Sequence, residues 1–215
     1  MENNHKNLCT LYIVRHGETE WNAQGIVMGQ KDLPLTIRGK RQAEELKNIF
    51  HSTSFDAVYS SDLLRTVKTA EIITAEKQLA IKTSQLLRER SYGRFEGRPA
   101  IKYRENIKHL LDELKQLSDA EKPAFKFADD VESDLELASR FIRFLREIAV
   151  IHPKETVLVS SHGGCIRTFL VHIGYASYHE LPSGSCANGS YIKILSDGLD
   201  FIVKEAVGIK ITKPS

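Results

Sequence analysis

A chain of 215 residues is long enough for one sizeable α/β core and does not require two domains, so we predict a single domain over residues 1–215. Hydrophobic residues make up 41% and charged residues 27%, which is typical of a globular protein rather than a disordered one. The formal net charge is only +2 and the basic residues are scattered, which argues against a nucleic-acid partner.

Signals for membrane insertion and secretion are missing from the sequence. No apolar run approaches the roughly 20 residues that cross a bilayer. The polar start, residues 1–7, is not followed by an apolar stretch of signal-peptide length. We therefore expect a cytoplasmic protein with no membrane partner. Three cysteines without Cys-x-x-Cys spacing predict reduced thiols rather than disulfides or a zinc site.

Apolar β-branched runs alternate with amphipathic helical stretches along the chain, which is typical of a mainly parallel sheet covered by helices on both faces. We therefore predict an α/β fold, a three-layer αβα sandwich. In chain order the predicted elements are a strand over 11–14, a helix capped by Thr36, a strand over 55–59, a helix capped by Asp62, a helix over 103–117, a loop over 118–130, a helix behind a Ser133/Glu136 capping box, a strand over 156–160 and a β-hairpin over 191–203.

Two of the strand-like runs end in the same dipeptide, His-Gly. One run ends at His16-Gly17 and the other at His162-Gly163. Ligands of open α/β sheets bind beyond the carboxyl ends of the strands, so both imidazoles reach one crevice if the two strands are neighbours. A single histidine at a strand end is more often structural, but two at equivalent positions favour a functional site.

The residues around these histidines indicate the ligand. Arg15 adjoins His16, and Arg65 lies in the first turn of the helix predicted after Asp62. A helix after Gly163 would direct free backbone N–H groups at the same pocket. Guanidinium groups and helix N-termini both bind phosphate dianions, so the sequence predicts a phosphate site.

Six segments of the chain occur in a recognisable order. They are Arg15-His-Gly-Glu-Thr19, Trp21-Asn22, Leu33-Pro-Leu-Thr36 with Gly39, Ser60-Ser-Asp-Leu-Leu-Arg65-Thr66, Arg88-Glu-Arg-Ser-Tyr92-Gly93 with Glu96-Gly97, and Ser161-His162-Gly163. They are spread over most of the chain, from Arg15 to Gly163. They resemble the motifs of the histidine phosphatase superfamily, which includes cofactor-dependent phosphoglycerate mutases, fructose-2,6-bisphosphatases and acid phosphatases.

The resemblance implies a role for each residue of the predicted phosphate site. His16 would be the nucleophile, and Arg15, Arg65 and His162 would form a cationic group around the phosphate. Glu89 would be the proton donor and acceptor. A neutral imidazole attacks phosphorus only if its other ring nitrogen keeps the proton, so His16 needs a neighbouring acceptor. Arg and protonated His would stabilise the transition state, so we expect neither a metal nor a cofactor.

The resemblance also implies the residues that surround this centre. Asn22, the backbone near Gly29 and Gly163 would line the phosphate or substrate pocket, and Tyr92 would flank it. We expect the inserted region around 95–132 to form a helical lid.

The insert before the second histidine separates phosphatases from mutases. In the mutase branch it carries a paired-arginine motif for the substrate carboxylate, and Gly-Asn follows the second histidine. Here the insert contains Phe125-Lys-Phe-Ala-Asp-Asp-Val-Glu132-Ser133, and Gly163-Gly164 follows His162. Both departures favour a phosphatase. Glu132-Ser133 resembles a Gly-Glu-Ser/Thr element of that branch, with Val131 in place of the glycine, which leaves Glu132 open between a site role and helix capping.

We therefore expect a metal-independent phosphomonoesterase for small phosphorylated metabolites of the sugar-phosphate type, as a monomer or homodimer. The motifs look most like those of fructose-2,6-bisphosphatase-related and broad-specificity phosphatases. Tyr103, Arg104, Phe125 and Lys126 are candidates for the mouth of the site. Two alternatives stay open, a cofactor-dependent phosphoglycerate mutase and a non-catalytic phospholigand-binding module.

Overall fold

The computed structural model describes residues 7–118 and 120–212, so part of the polar start lies outside the described residues. Its strands are β1 (Cys9–Arg15), β2 (Ala57–Ser60), β3 (Ile81–Thr83), β4 (Thr156–Ser161), β5 (Cys186–Ser196) and β6 (Phe201–Ile209). They form one sheet in the order β3-β2-β4-β1-β5-β6. The first four strands in this order are parallel, whereas β5 and β6 pair in antiparallel fashion. The predicted α/β fold with a mainly parallel sheet is confirmed.

Helices cover both faces of this sheet. They are α1 (Glu20–Gln24), α2 (Ile37–Ile49), α3 (Leu64–Ile73), α4 (Ala100–Asn106), α5 (Lys108–Gln116), α6 (Asp134–Ile151) and α7 (Gly163–His172). The core on one face contains α2 and α3, and the core on the other contains α6 and α7, which makes three layers. Within the described ranges, no helix has both the length and the apolar composition needed to span a membrane.

Alternating side chains of the central strands build these two cores. Leu11 and Ile13 of β1 pack with α6 and α7, while Val14 packs with α2 and α3. All three side chains are fully buried. Successive side chains of a strand point to opposite faces, so a strand covered on both faces reads as a continuous apolar run. Each such side chain stabilises the fold by about 1.5–3 kcal/mol.

The predicted caps at Thr36 and Ser133 are confirmed. Thr36 Oγ1 accepts the N–H of Gly39 at 3.0 Å. Ser133 Oγ accepts the N–H of Glu136 at 3.2 Å, and Glu136 Oε2 accepts the N–H of Ser133 at 2.9 Å. These reciprocal bonds satisfy backbone donors that the first helical turn leaves unpaired.

The predicted cap at Asp62 is wrong. Asp62 instead accepts two hydrogen bonds from Arg88, at 2.7 and 2.5 Å. The N–H of Leu64, at the start of α3, donates to Asp32 Oδ1 at 2.8 Å. A carboxylate gains more from a charged, bidentate partner than from one backbone N–H, and a loop far away in sequence supplies the cap.

The amphipathic helix predicted over 103–117 is wrong as one element, because it is two helices. Ile107 lies between α4 and α5, is buried, and has φ −96° and ψ 6°. The spacing of apolar residues is helical through Ile107, so it does not reveal that the chain changes direction where this side chain is buried. The predicted loop over 118–130 contains a 3₁₀ turn at Lys122–Ala124. That residues 95–132 act as a lid stays a prediction.

The short strand β3 and the closing hairpin differ most from the sequence prediction. β3 was not predicted, because this three-residue edge strand contains no fully buried side chain. The closing hairpin was predicted over 191–203 but extends from Cys186 to Ile209. β3 and β6 are the edge strands of the sheet, and edge strands need no continuous apolar run, so hydrophobic patterning marks their ends poorly.

Candidate phosphate site

The two predicted histidines meet at the carboxyl ends of two central strands of the sheet. β1 and β4 are parallel neighbours, with Arg15 opposite Ser161. His16 and His162 therefore follow their strands at equivalent positions, and their ring centroids lie 5.2 Å apart. The His16 N–H donates to the Ser161 carbonyl at 3.1 Å. Both imidazoles thus reach one crevice, as predicted from the two His-Gly strand ends.

The tautomer of His16 follows from one hydrogen bond. Nδ1 lies 2.7 Å from the Gly17 carbonyl oxygen, which can only accept, so Nδ1 carries the proton. Nε2 then keeps a lone pair. Burial first, and then the charges of Arg65 and Arg15, hold the pKa of His16 well below its ordinary value. The imidazole is therefore neutral near pH 7.

The backbone of His16 is held from outside its strand. Asn188 Nδ2 donates to the His16 carbonyl at 3.1 Å and to Asn22 Oδ1 at 3.2 Å. The predicted pocket residue Asn22 is thereby joined to the nucleophile candidate. Sequence reasoning missed Asn188, because an Asn-Gly pair beside a strand is an ordinary turn signal.

A close backbone approach explains the glycine after His16. A Cβ atom on Gly17 would lie 2.2 Å from the carbonyl oxygen of Gly39. The Gly17 N–H donates to Thr69 Oγ1 at 3.2 Å. Any larger residue at position 17 would therefore displace the loop that carries His16.

Arg65 is fully buried in the first turn of α3. Its Nη1 donates to the Lys31 carbonyl and its Nη2 to the Gly29 carbonyl, both at 2.7 Å. Burial lowers its pKa to about 10, so the group stays charged at neutral pH. The backbone near Gly29, predicted to line the pocket, orients this guanidinium.

Arg15 lies beside the glycine that follows the second histidine. Its Nη1 donates to the Cys186 carbonyl. A Cβ atom on Gly163 would lie 3.1 Å from Arg15 Nε, so the guanidinium packs against the start of α7. Burial lowers the pKa of Arg15, and the carboxylate of Glu89 opposes that shift.

The family resemblance implied that His162 belongs to a cationic group, but its ring is not positively charged in this structure. Burial, followed by Arg65 and His16, holds its pKa well below the ordinary value. The ring is therefore neutral near pH 7 and offers one N–H donor. An entering dianion would favour its protonated form.

Unpaired buried atoms gather around this crevice. Among the described residues, five buried side-chain nitrogen or oxygen atoms lack a hydrogen-bond partner. Four of them are Arg15 Nε, Arg65 Nε and both ring nitrogens of His162. Three of these four are donors, because a neutral His162 has one donor nitrogen and one acceptor nitrogen. An unpaired buried donor costs about 1–3 kcal/mol, so a cluster of them marks a place where a ligand supplies the acceptors. An oxyanion has the several oxygens that these donors need.

Glu89 reaches the same crevice from the loop after β3. Its Oε1 accepts the N–H of Arg90 at 2.8 Å, and its Oε2 accepts the N–H of Gly164 at 3.1 Å. The expectation of free N–H groups at the start of α7 is therefore wrong at Gly164. A Cβ atom on Gly164 would lie 2.2 Å from Glu89 Oε1. The carboxylate thus sits directly against a glycine backbone.

The charges on either side of Glu89 are not a solvated run. Arg88 pairs with Asp62, and Arg90 pairs with Asp134 and donates to Thr168 Oγ1. Both guanidinium groups are anchored to neighbouring elements, which holds the intervening residue in the crevice.

Tyr92, which was predicted to flank the pocket, belongs to a cluster of three aromatic residues. Tyr92 makes an edge-on contact with Tyr103 of α4 at a centroid distance of 5.5 Å, and Tyr103 lies 4.9 Å from Phe95. Burial raises the pKa of Tyr92, so its hydroxyl stays protonated. Of the other predicted mouth residues, Phe125 packs on Phe127, Lys126 pairs with Glu136, and Arg104 is exposed.

Known proteins resemble this chain over most of its length. The profile of the histidine phosphatase superfamily (branch 1) matches residues 11–206. The uncharacterized phosphatase PhoE of Bacillus subtilis is 32% identical over 170 residues, 77% of this chain and 78% of its own. The probable phosphoglycerate mutase GpmB of Proteus mirabilis is 34% identical over 180 residues, 80% of this chain and 79% of its own. A solved phosphoglycerate mutase from Bacillus anthracis, 25% identical, superposes with a TM-score of 0.82 and covers 95% of this chain and 94% of its own, which confirms the predicted fold.

Proposed function

Because this chain belongs to the histidine phosphatase superfamily, we propose that it is a phosphomonoesterase that acts on small phosphorylated metabolites through a phosphohistidine on His16. One observation carries the proposal: buried nitrogens of Arg15, Arg65 and His162 that are unpaired among the described residues adjoin the imidazole of His16, whose protonated Nδ1 leaves a lone pair on Nε2. A phosphoryl group satisfies these donors and presents its phosphorus to that nitrogen.

In the first half-reaction, His16 Nε2 attacks phosphorus. The P–N bond forms as the ester P–O bond breaks, and the carboxyl group of Glu89 gives its proton to the leaving oxygen. The donors of Arg15, Arg65 and His162 stabilise the charge on the three equatorial oxygens. The alcohol then leaves the site.

In the second half-reaction, Glu89 acts as a base. Its carboxylate removes a proton from water, whose oxygen attacks the phosphorus as the P–N bond breaks. Orthophosphate leaves, and His16 regains its lone pair. Glu89 ends the cycle protonated, so one carboxyl group serves both steps.

Hydrolysis is favoured over phosphoryl transfer to a second substrate position. Residues 95–132 contain no paired arginines for a substrate carboxylate. The asparagine that mutases carry after His-Gly would need a Cβ at position 164, and that Cβ would lie 2.2 Å from Glu89 Oε1. The likeness to a protein named as a probable mutase keeps transfer as the second candidate. That candidate requires exchange between phosphoglycerates, stimulated by bisphosphoglycerate.

The first test is hydrolysis of p-nitrophenyl phosphate in EDTA, with inhibition by vanadate, which mimics the pentacoordinate phosphorus. Loss of activity on chelation would refute the metal-independent mechanism. Rapid quench should trap an acid-labile, alkali-stable label on His16. Full turnover by His16→Ala would exclude the intermediate. Phosphate binding with no turnover of any substrate would favour a non-catalytic module.

The physiological substrate requires a comparison of candidates. We expect sugar phosphates to give the highest kcat/KM in a panel that also contains phosphoglycolate, fructose-2,6-bisphosphate, nucleotides and phosphopeptides. A preference for phosphopeptides would contradict the proposed substrate class.

A further inference from the structure

Glu132 and Arg140 form an ion pair behind the segment that carries Glu89. Arg140 Nε donates to Glu132 Oε1 at 2.6 Å, and Nη2 donates to Oε2 at 2.9 Å. The side chains of Arg140 and Glu132 are only 17% and 14% exposed, respectively. A paired guanidinium and carboxylate joined by two parallel bonds have a defined mutual orientation. The pair is therefore a rigid unit at the start of α6.

This pair grips the backbone on both sides of Glu89. Arg140 Nη1 donates to the Leu86 carbonyl at 2.8 Å, and Nη2 donates to the Glu89 carbonyl at 3.0 Å. Glu132 Oε2 accepts the N–H of Ser91 at 3.2 Å. The Glu132 N–H donates to the Ser91 carbonyl at 2.9 Å. The peptide that carries the Glu89 side chain is thus fixed from both directions.

We propose that Glu132 and Arg140 are positioning residues that hold the Glu89 carboxyl group at the reacting oxygen. The proposal rests on the proton-transfer role assigned to Glu89 above. Proton transfer requires hydrogen-bond distance, and a displacement of about 1 Å can cost about 10²-fold in rate. The proposal gives Glu132 a role in the site rather than in helix capping, because Ser133 and Glu136 already cap α6.

An open groove gives solvent access to this pair. The groove has a cavity volume of about 850 Å³, and its lining includes Gln30, Ser91, Glu132 and Arg140. Gln30 Nε2 also donates to the Glu89 carbonyl, at 3.2 Å. A guanidinium ion from solvent can therefore enter the space that truncation of Arg140 would leave.

The test compares Arg140→Ala on phenyl phosphate, which has a poor leaving group, and on p-nitrophenyl phosphate, which has a good one. We expect kcat to fall about 10²-fold on phenyl phosphate and less than about fivefold on p-nitrophenyl phosphate. Glu89→Gln should show the same selectivity, and the double variant should be no slower than Glu89→Gln. Arg143→Ala is the matched control, because Arg143 forms an exposed pair with Glu147 on the same helix.

Chemical rescue separates positioning from general damage to the fold. Guanidinium at millimolar concentration should restore the phenyl phosphate activity of Arg140→Ala at least tenfold, whereas urea, which has a similar shape and no charge, should not. Equal losses on the two substrates, additive losses in the double variant, or equal rescue by urea would each overturn the positioning role.

Hydrogen exchange tests the same contacts without turnover. Amides of residues 86–91 should exchange at least tenfold faster in Arg140→Ala than in Arg143→Ala. Unchanged exchange would refute the inference even if both aryl phosphates are hydrolysed. Failure of the wild-type protein to hydrolyse either one would instead refute the proposed function, and the exchange rates would still decide whether the pair holds this segment.

Discussion

Acidification should destabilise this protein through its two buried histidines. The side chains of His16 and His162 are 2% and 0% exposed, and the pKa of each is held well below its ordinary value by burial and by nearby guanidinium groups. In the unfolded chain both imidazoles titrate near about pH 6.5. At pH values between the lowered pKa of the folded protein and the pKa of the unfolded chain, the unfolded state therefore binds more protons than the folded state. The stability that depends on the neutral histidines is present above about pH 6.5 and is lost as the pH falls.

The size of this loss follows from proton linkage. When the pH falls from about 7.5 to about 5.5, an unfolded histidine takes up most of one proton, whereas the buried one stays neutral. The free energy of unfolding then falls by about 1.4 kcal/mol for each histidine, and by roughly twice that for both. Such a loss is a large part of the stability of an ordinary domain.

Urea unfolding at the two pH values measures this dependence. The wild-type protein, His162→Asn and the control His109→Asn are compared, because His109 is an exposed residue of α5. Carboxylate titration is common to all three proteins and cancels in the comparison. His162→Asn should lose about 1.4 kcal/mol less than the wild type over this pH range, and His109→Asn should match the wild type. Equal pH dependence in all three would refute the neutral, buried state of His162.

Three further substitutions test the site. Gly164→Ala should push the Glu89 carboxylate away, because the new Cβ would lie 2.2 Å from Oε1. We expect kcat on phenyl phosphate to fall about 10²-fold while vanadate inhibition stays unchanged, and an unchanged kcat would contradict this contact. Arg65→Lys removes the pair of hydrogen bonds from Arg65 to the carbonyls of Lys31 and Gly29. The free energy of unfolding in urea should fall by about 1–3 kcal/mol, and the affinity for vanadate should fall at least tenfold. Wild-type values for both would be inconsistent with a role for these two hydrogen bonds. Asn188→Ala removes the hydrogen bond to the His16 carbonyl and should lower kcat/KM about tenfold. A wild-type kcat/KM would show that this hydrogen bond does not position His16.

Local signals in the sequence predicted the parts of the fold that depend on nearby residues. The caps at Thr36 and Ser133 were found because a hydroxyl and the backbone N–H it accepts lie three positions apart. The strand ending before His16 was found because both faces of it are buried. Asp62 was misassigned because its partner Arg88 comes from a distant segment.

The roles of charged residues depended on contacts that no pattern encodes. Arg140 is an ordinary helix residue in the sequence, yet its guanidinium reaches the Glu89 carbonyl and a carboxylate before the same helix. Asn188 reaches the backbone of His16 only because β5 pairs with β1. Such contacts require the sheet order, which spacing along the chain does not contain.

By itself the sequence determined the alternation of strands and helices, the two His-Gly strand ends and the residue types suited to phosphate, because these are properties of neighbouring positions. Tertiary structure alone decided that the two imidazoles lie 5.2 Å apart. It also decided that burial keeps them neutral and that the buried donors beside them stay unpaired. Distance, desolvation and hydrogen-bond partners are set by which segments pack together, so they arise only when the chain has folded.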